Sequence, residues 1–174
     1  MSNIERRELI QIALAGAFVG TVRAADKPPL FFTVPEYNLL EELCEVILPA
    51  DSEGPGAKAA GVRFYIDRIV KYSDSGPQQQ WRAGLAALDS ESKTQSGKGF
   101  AEADLEQRVR LITAIAKNEE APQTQQERFF ATVKRMTFDG FAFSDLAKRD
   151  FFHYKGEHGI PEFAGCTHPE HKQV

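Results

Sequence analysis

Apolar residues recur at three- and four-residue spacing along most of this chain, the period of an amphipathic helix. Leu39, Leu40, Leu43, Val46 and Ile47 share one face. Ahead of them Thr33-Val-Pro-Glu36 has the form of a capping box, with Pro35 in the first turn. Pro49 ends this helix. Cys44 lies inside it beside the apolar face, the setting of a buried, inert thiol. A second helix is expected over residues 62–72, with Phe64, Ile66, Ile69 and Val70 turned to the core. After a break at residues 73–77, Trp81, Leu85 and Leu88 mark a third. Leu105, Val109, Ile112 and Ile115 mark a fourth, with Glu102, Asp104 and Glu106 at its positive end. Pro122 opens a fifth, with Phe129, Phe130, Val133 and Met136 as its stripe. Residues 50–57 and 90–99 read as loops. No run of alternating β-branched residues occurs, so the expected class is all-α: one compact bundle of about five to six helices.

The two ends break this pattern. Arg6 and Arg7 precede an apolar run of 13 residues, 10–22, and small residues follow at Ala24 and Ala25. A membrane span needs roughly 20 apolar residues, so the run reads as a signal h-region, and the arginine pair as a twin-arginine export signal over residues 1–25. Glu5 and Glu8 flank the pair, which leaves the n-region only weakly positive. Residues 26–174 form the helical domain. Beyond Met136 the texture changes again. Eight of the 13 Phe lie in 129–163 and all four His in the last 22 residues, mixed with glycines. A short helix over about residues 144–151 and then an irregular, aromatic-rich tail are expected. Aromatic side chains in such a tail fold back on the core or dock on a partner.

Composition narrows the chemistry. The chain has 174 residues and a net charge of -4. Removing Arg6, Arg7 and Arg23 with Glu5 and Glu8 leaves a domain of net charge -5. That mild acidity argues against a nucleic-acid partner. Two cysteines are too few for a disulfide scaffold or a four-cysteine metal centre. No haem-attachment, dinucleotide, phosphate-loop or nucleophile-elbow motif is present, so no catalytic residue and no cofactor are expected in this chain. Cys166, His168 and His171 are the best metal candidates, although their spacing is not that of a closed zinc site. Asp51 and Glu53 fit turn-forming acids better than an acid–base pair. Asp67 reads as a surface or capping group. In an oxidising compartment Cys166 is expected as an intermolecular bridge or a free thiol, because a bridge to Cys44 requires the tail to reach a buried site.

Several stretches, taken in order, resemble the gluconate 2-dehydrogenase subunit 3 family. They are the twin-arginine start, Phe32-Thr-Val-Pro-Glu36, Leu43-Cys-Glu-Val-Ile-Leu-Pro-Ala-Asp51, Gly54-Pro-Gly-Ala57 and Ala60-Gly-Val62 leading to Tyr65-Ile-Asp67. Phe129-Phe130, Tyr154-Lys-Gly156 and Phe163-Ala-Gly-Cys-Thr-His-Pro-Glu-His171 follow. The resemblance implies a non-catalytic accessory subunit of a membrane-associated, gluconate-, glucose- or fructose-type sugar or sugar-acid dehydrogenase. Its large partner would be an FAD-dependent flavoprotein of the glucose–methanol–choline type, with a multi-haem cytochrome c often taking the electrons onward. The small subunit would carry that partner, folded and loaded with FAD, to the periplasm. Attachment to the inner membrane would come only through the complex.

The expected partner contacts are Phe138, Phe141, Phe143 and Phe151, joined by Phe152, Tyr154, Phe163 and Cys166, since a few aromatic groups usually dominate an interface. A second reading is a stand-alone periplasmic metal-binding protein or metalloenzyme using Cys166, His168 and His171. A third is a plain structural helical protein whose uncleaved N-terminal helix packs on its own core.

Overall fold

Five α-helices and one π-helical turn account for the regular structure of this computed structural model, which describes residues 27–154 apart from residue 53. They are α1 (Val34–Ile47), α2 (Val62–Lys71), α3 (Ser75–Ser96), α4 (Leu105–Ala116), α5 (Gln125–Phe143) and the π turn (Ala147–Phe151). No strand occurs among the described residues, and the class is all-α. Helix α5 packs against each of the other four helices and the π turn. Leu40, Leu43, Ile66, Leu85, Phe100 and Val133 fill the centre. None of the described helices is long and apolar enough to cross a membrane.

Three helices open with reciprocal capping boxes, which satisfy orphan N–H groups of the first turn. Thr33 pairs with Glu36 at α1, Asp104 with Gln107 at α4 and Thr124 with Glu127 at α5. The Glu127 carboxylate accepts from Thr124 N at 2.8 Å, from Asn118 Nδ2 at 2.8 Å and from Gln123 N at 2.7 Å. Those donors hold its pKa down, from 4.5 to about 2. A folded pKa below the unfolded one means stabilisation that is present above about pH 4.5 and lost as the pH falls through about 2. A carboxyl NMR titration should therefore place Glu127 near 2. A midpoint near 4.5 would show that the cap does not form in solution.

Helix α3 is longer than its polar end suggests. The expected loop over residues 90–99 is helical as far as Ser96, because its polar side chains bond along the helix. Thr94 Oγ1 donates to Ser90 O at 3.0 Å, Ser96 Oγ to Ser92 O at 2.9 Å and Gln95 Nε2 to Glu91 Oε1 at 2.8 Å. Gly97, at φ 74°, ends it in a left-handed C-cap. Helix α4 buries only the second half of the expected face. Ile112 is buried and Ile115 packs half-buried against the core as expected, joined by Leu111, whereas Leu105 and Val109 face solvent. Arg108 sets this orientation by donating to Phe100 O at 3.0 Å, to Ala101 O at 2.7 Å and to the Glu42 carboxylate on α1. On α2, Ile66 and Val70 reach the core as expected, Phe64 is only half-buried, and Ile69 faces outward.

Asp67 departs most from expectation. It is not on the surface but 0% exposed on α2. Its carboxylate receives backbone N–H groups from a strap, residues 27–32, that runs into α1. Leu30 N donates at 2.5 Å, Phe31 N at 3.1 Å and Phe32 N at 3.0 Å. Arg82 on α3 holds the same strap. Its Nη2 donates to Phe31 O at 3.0 Å, its guanidinium lies 4.4 Å from the Phe31 ring centroid, and its Nη1 bonds the Glu36 carboxylate. Phe32 enters the core and its ring meets that of Trp81 at 6.1 Å.

Candidate functional site

Pro49 stops α1, and the loop that follows is stitched to the helix it leaves. The Glu45 carboxylate accepts from Ala50 N at 3.2 Å and from Lys58 N at 2.7 Å. Ala57 N donates to Leu48 O at 2.9 Å. Gly56 passes so close that a Cβ there would lie 2.5 Å from Ala50 N and 2.6 Å from a Glu45 carboxylate oxygen. Asp51 is the turn-forming acid expected: its Oδ1 accepts from Gly54 N at 3.0 Å. Glu53 lies outside the described residues.

The C-terminal end of α5 comes up beside this loop. Ser144 caps it, with Oγ donating to Phe141 O at 2.7 Å and accepting from Ala147 N at 3.0 Å. The chain then turns back through the π turn. Phe152 N donates to Ala147 O at 2.8 Å and Tyr154 N to Lys148 O at 2.7 Å. Between loop and turn lies a cleft of about 530 Å³. Leu48, Pro49 and Pro55 form one wall and Phe138, Phe151 and Phe152 the other, with Asp51 and Asp139 also lining it. Phe151 stands edge-on to both Phe141, at 5.8 Å, and Phe152, at 5.1 Å. Such a lining can bury apolar groups of a ligand or partner.

The expected contact residues fall into different places. Phe138 and Phe152, 45% and 54% exposed, share the cleft with Phe151. Phe141 lies deeper: only 7% exposed, it is the floor of the cleft and part of the core, because α5 continues through it to Phe143. Phe143 is exposed and stacks on Tyr65 of α2 at 6.2 Å. Tyr154 is exposed. Phe163, Cys166, His168, His171, Arg6 and Arg7 lie outside the described residues. Among the described residues no three His, Cys, Asp or Glu side chains are grouped so as to hold a metal ion.

Sequence reasoning missed the loop side of the cleft. Leu48, Pro49 and Pro55 read as a helix stop and a turn, and only the tertiary fold sets them against Phe151. An acidic groove of about 670 Å³ lies beside α1 and α3. Its acids are mostly cross-linked: Glu36 to Arg82, Glu41 to Arg63 and Lys58, Glu42 to Arg108 and Lys58, and Asp89 to Lys93. That pairing gives the groove a structural role in tying α1 to its neighbours.

No curated protein and no solved structure matches the chain significantly. The family model described as gluconate 2-dehydrogenase subunit 3 matches residues 35–157, from the first turn of α1 past the π turn. With that match covering more than half of its length, the chain belongs to the gluconate 2-dehydrogenase subunit 3 family.

Proposed function

We propose that this chain is the non-catalytic accessory subunit of an FAD-dependent sugar or sugar-acid dehydrogenase, and that it escorts the large flavoprotein to the periplasm by the twin-arginine route. Family membership supports a subunit of a dehydrogenase complex. The observation that carries the docking role is the aromatic cleft. Three phenylalanines gather at one end of the bundle, half in solvent, over a rigidly capped helix end. Partly exposed aromatic rings around an apolar hollow are the material of interface hot spots. Arg6 and Arg7 supply the export signal in this reading. FAD resides in the partner, a multi-haem cytochrome c completes the electron path, and the complex provides the membrane attachment.

The test is the double variant Phe138→Ser/Phe152→Ser, produced together with the flavoprotein. Both rings are exposed, so the melting temperature should stay close to that of the parent chain. Co-purification of the flavoprotein should fall by at least about tenfold, the loss expected when two contacts each contribute more than about 1 kcal/mol. The small subunit should still reach the periplasm while the flavoprotein stays behind in the cytoplasm. Unchanged co-purification overturns docking at the cleft. Flavoprotein activity that still arrives in the periplasm overturns escort.

A further inference from the structure

A second groove, of about 650 Å³, runs between α5 and the junction of α2 with α3. Trp81, Phe129, Met136 and Ile69 give it an apolar floor and wall, with the Trp81 and Phe129 rings edge-on at 5.3 Å. Arg128 and Arg135 line it, and no acidic residue does. This is unusual in a chain of net charge -4. Elsewhere five of the six other described arginines, Arg63, Arg82, Arg108, Arg110 and Arg149, pair with a carboxylate, and the exposed Arg68 is the exception. Among the described residues the Arg128 guanidinium donates to the backbone carbonyl of Gln123, at 2.7 Å, and to no carboxylate, and Arg135 bonds no carboxylate. Seven residues apart on one helix, Arg128 and Arg135 share a face, with about 10.5 Å of helix rise between their backbone positions. A second helix laid along the groove would present carboxylates at the same seven-residue interval, with apolar groups between them for the floor.

We propose that this groove is a second docking site and that its occupant is an acidic amphipathic helix of the partner dehydrogenase subunit. Two of that helix's carboxylates pair with Arg128 and Arg135, and its apolar face covers Trp81, Phe129 and Met136. The proposal rests on the accessory-subunit reading. The arginines favour a carboxylate-bearing helix because guanidinium binds carboxylate through paired, charge-assisted hydrogen bonds. They favour it over an anionic membrane surface because lipid recognition relies on clusters of about four to eight basic residues on a surface able to meet a bilayer, not on two beside a concave groove.

The experiment places a photoreactive benzoyl-phenylalanine at Thr132, which lines the groove between the two arginines. The full chain is made together with the flavoprotein, irradiated in the cell, and the adduct is mapped by mass spectrometry. The expected adduct lies on a segment of the flavoprotein that carries acids seven residues apart and an apolar stripe. Adding Arg128→Glu and Arg135→Glu should reduce it at least tenfold, about 1.4 kcal/mol, while the aromatic cleft still retains the flavoprotein. An adduct on lipid, on a second copy of this chain, or on a segment without that pattern overturns the proposal. So does a co-purifying flavoprotein that carries no adduct. Absence of flavoprotein from the parent preparation overturns the accessory-subunit reading itself, and the groove proposal with it.

Discussion

Replacing Asp67 with alanine is expected to cost about 3 kcal/mol of folding stability, a shift of roughly 1.5 M in the urea midpoint. The carboxylate is wholly buried, and the strap's three consecutive N–H groups converge on it. A hydrogen bond to a charged group contributes about 1.5–3 kcal/mol, and a buried donor left without a partner costs about 1–3 kcal/mol. Leu30 N and Phe31 N sit where water can replace the lost acceptor, but Phe32 N is buried. The total is therefore smaller than three full bonds. Asp67→Asn is expected to be nearly as damaging, because its amide group sets further donors against the strap. Hydrogen exchange supplies the second measurement. In either variant the amides of residues 30–32 should lose protection while those in the middle of α5 keep theirs. A variant with parental stability and protected strap amides would show that another group holds the strap.

Cys44 is expected to react with an alkylating reagent about 1,000-fold more slowly than an ordinary exposed thiol at pH 8 while the protein is folded. Burial raises its pKa from 9.0 to about 12, against the opposing hydrogen bond from Thr137 Oγ1 at 3.4 Å. At pH 8 the thiolate, the reactive form, then falls from about a tenth of the population to about one part in ten thousand. Steric closure by Leu40, Leu43 and Val133 adds to that. Labelling the native protein and locating the adduct by peptide mass spectrometry is the check, with a urea-unfolded sample as the reference. Labelling of Cys44 at the unfolded rate, with the helical signal intact, would contradict the packing. An inert Cys44 also means that any disulfide formed by Cys166 must be sought with a group outside the core.

Much of this fold is legible in the chain because its signals are local. The Thr33–Glu36 box depends on residues three apart, and Trp81, Leu85 and Leu88 needed only the helical period to be placed inside. The departures share a different cause. Asp67 looks like a surface acid because the N–H groups that satisfy it lie 35 to 37 positions earlier, in a segment with no periodic pattern. Residues 90–96 look like a loop because Ser and Thr favour loops when their hydroxyls bond nearby backbone, yet here Thr94 and Ser96 bond back along the helix itself. Arg108 orients α4 through carbonyls and a carboxylate contributed by other segments, so spacing within α4 could not show that Leu105 and Val109 face solvent. The aromatic cleft was half legible. The phenylalanine cluster stands out in the composition, but its depth and its proline wall come from a loop nearly a hundred residues away.

The strap also bears on the order of events during synthesis. Residues 27–32 are made before any helix of the described body, yet their anchors are Asp67 on α2 and Arg82 on α3. At about 5–20 residues per second, the last of those anchors is added several seconds after the strap itself. Closing so long a loop carries an entropic cost that only a packed α2 and α3 can repay. The earliest described segment to leave the ribosome therefore meets its full set of anchors only after α2 and the first turns of α3 have been made.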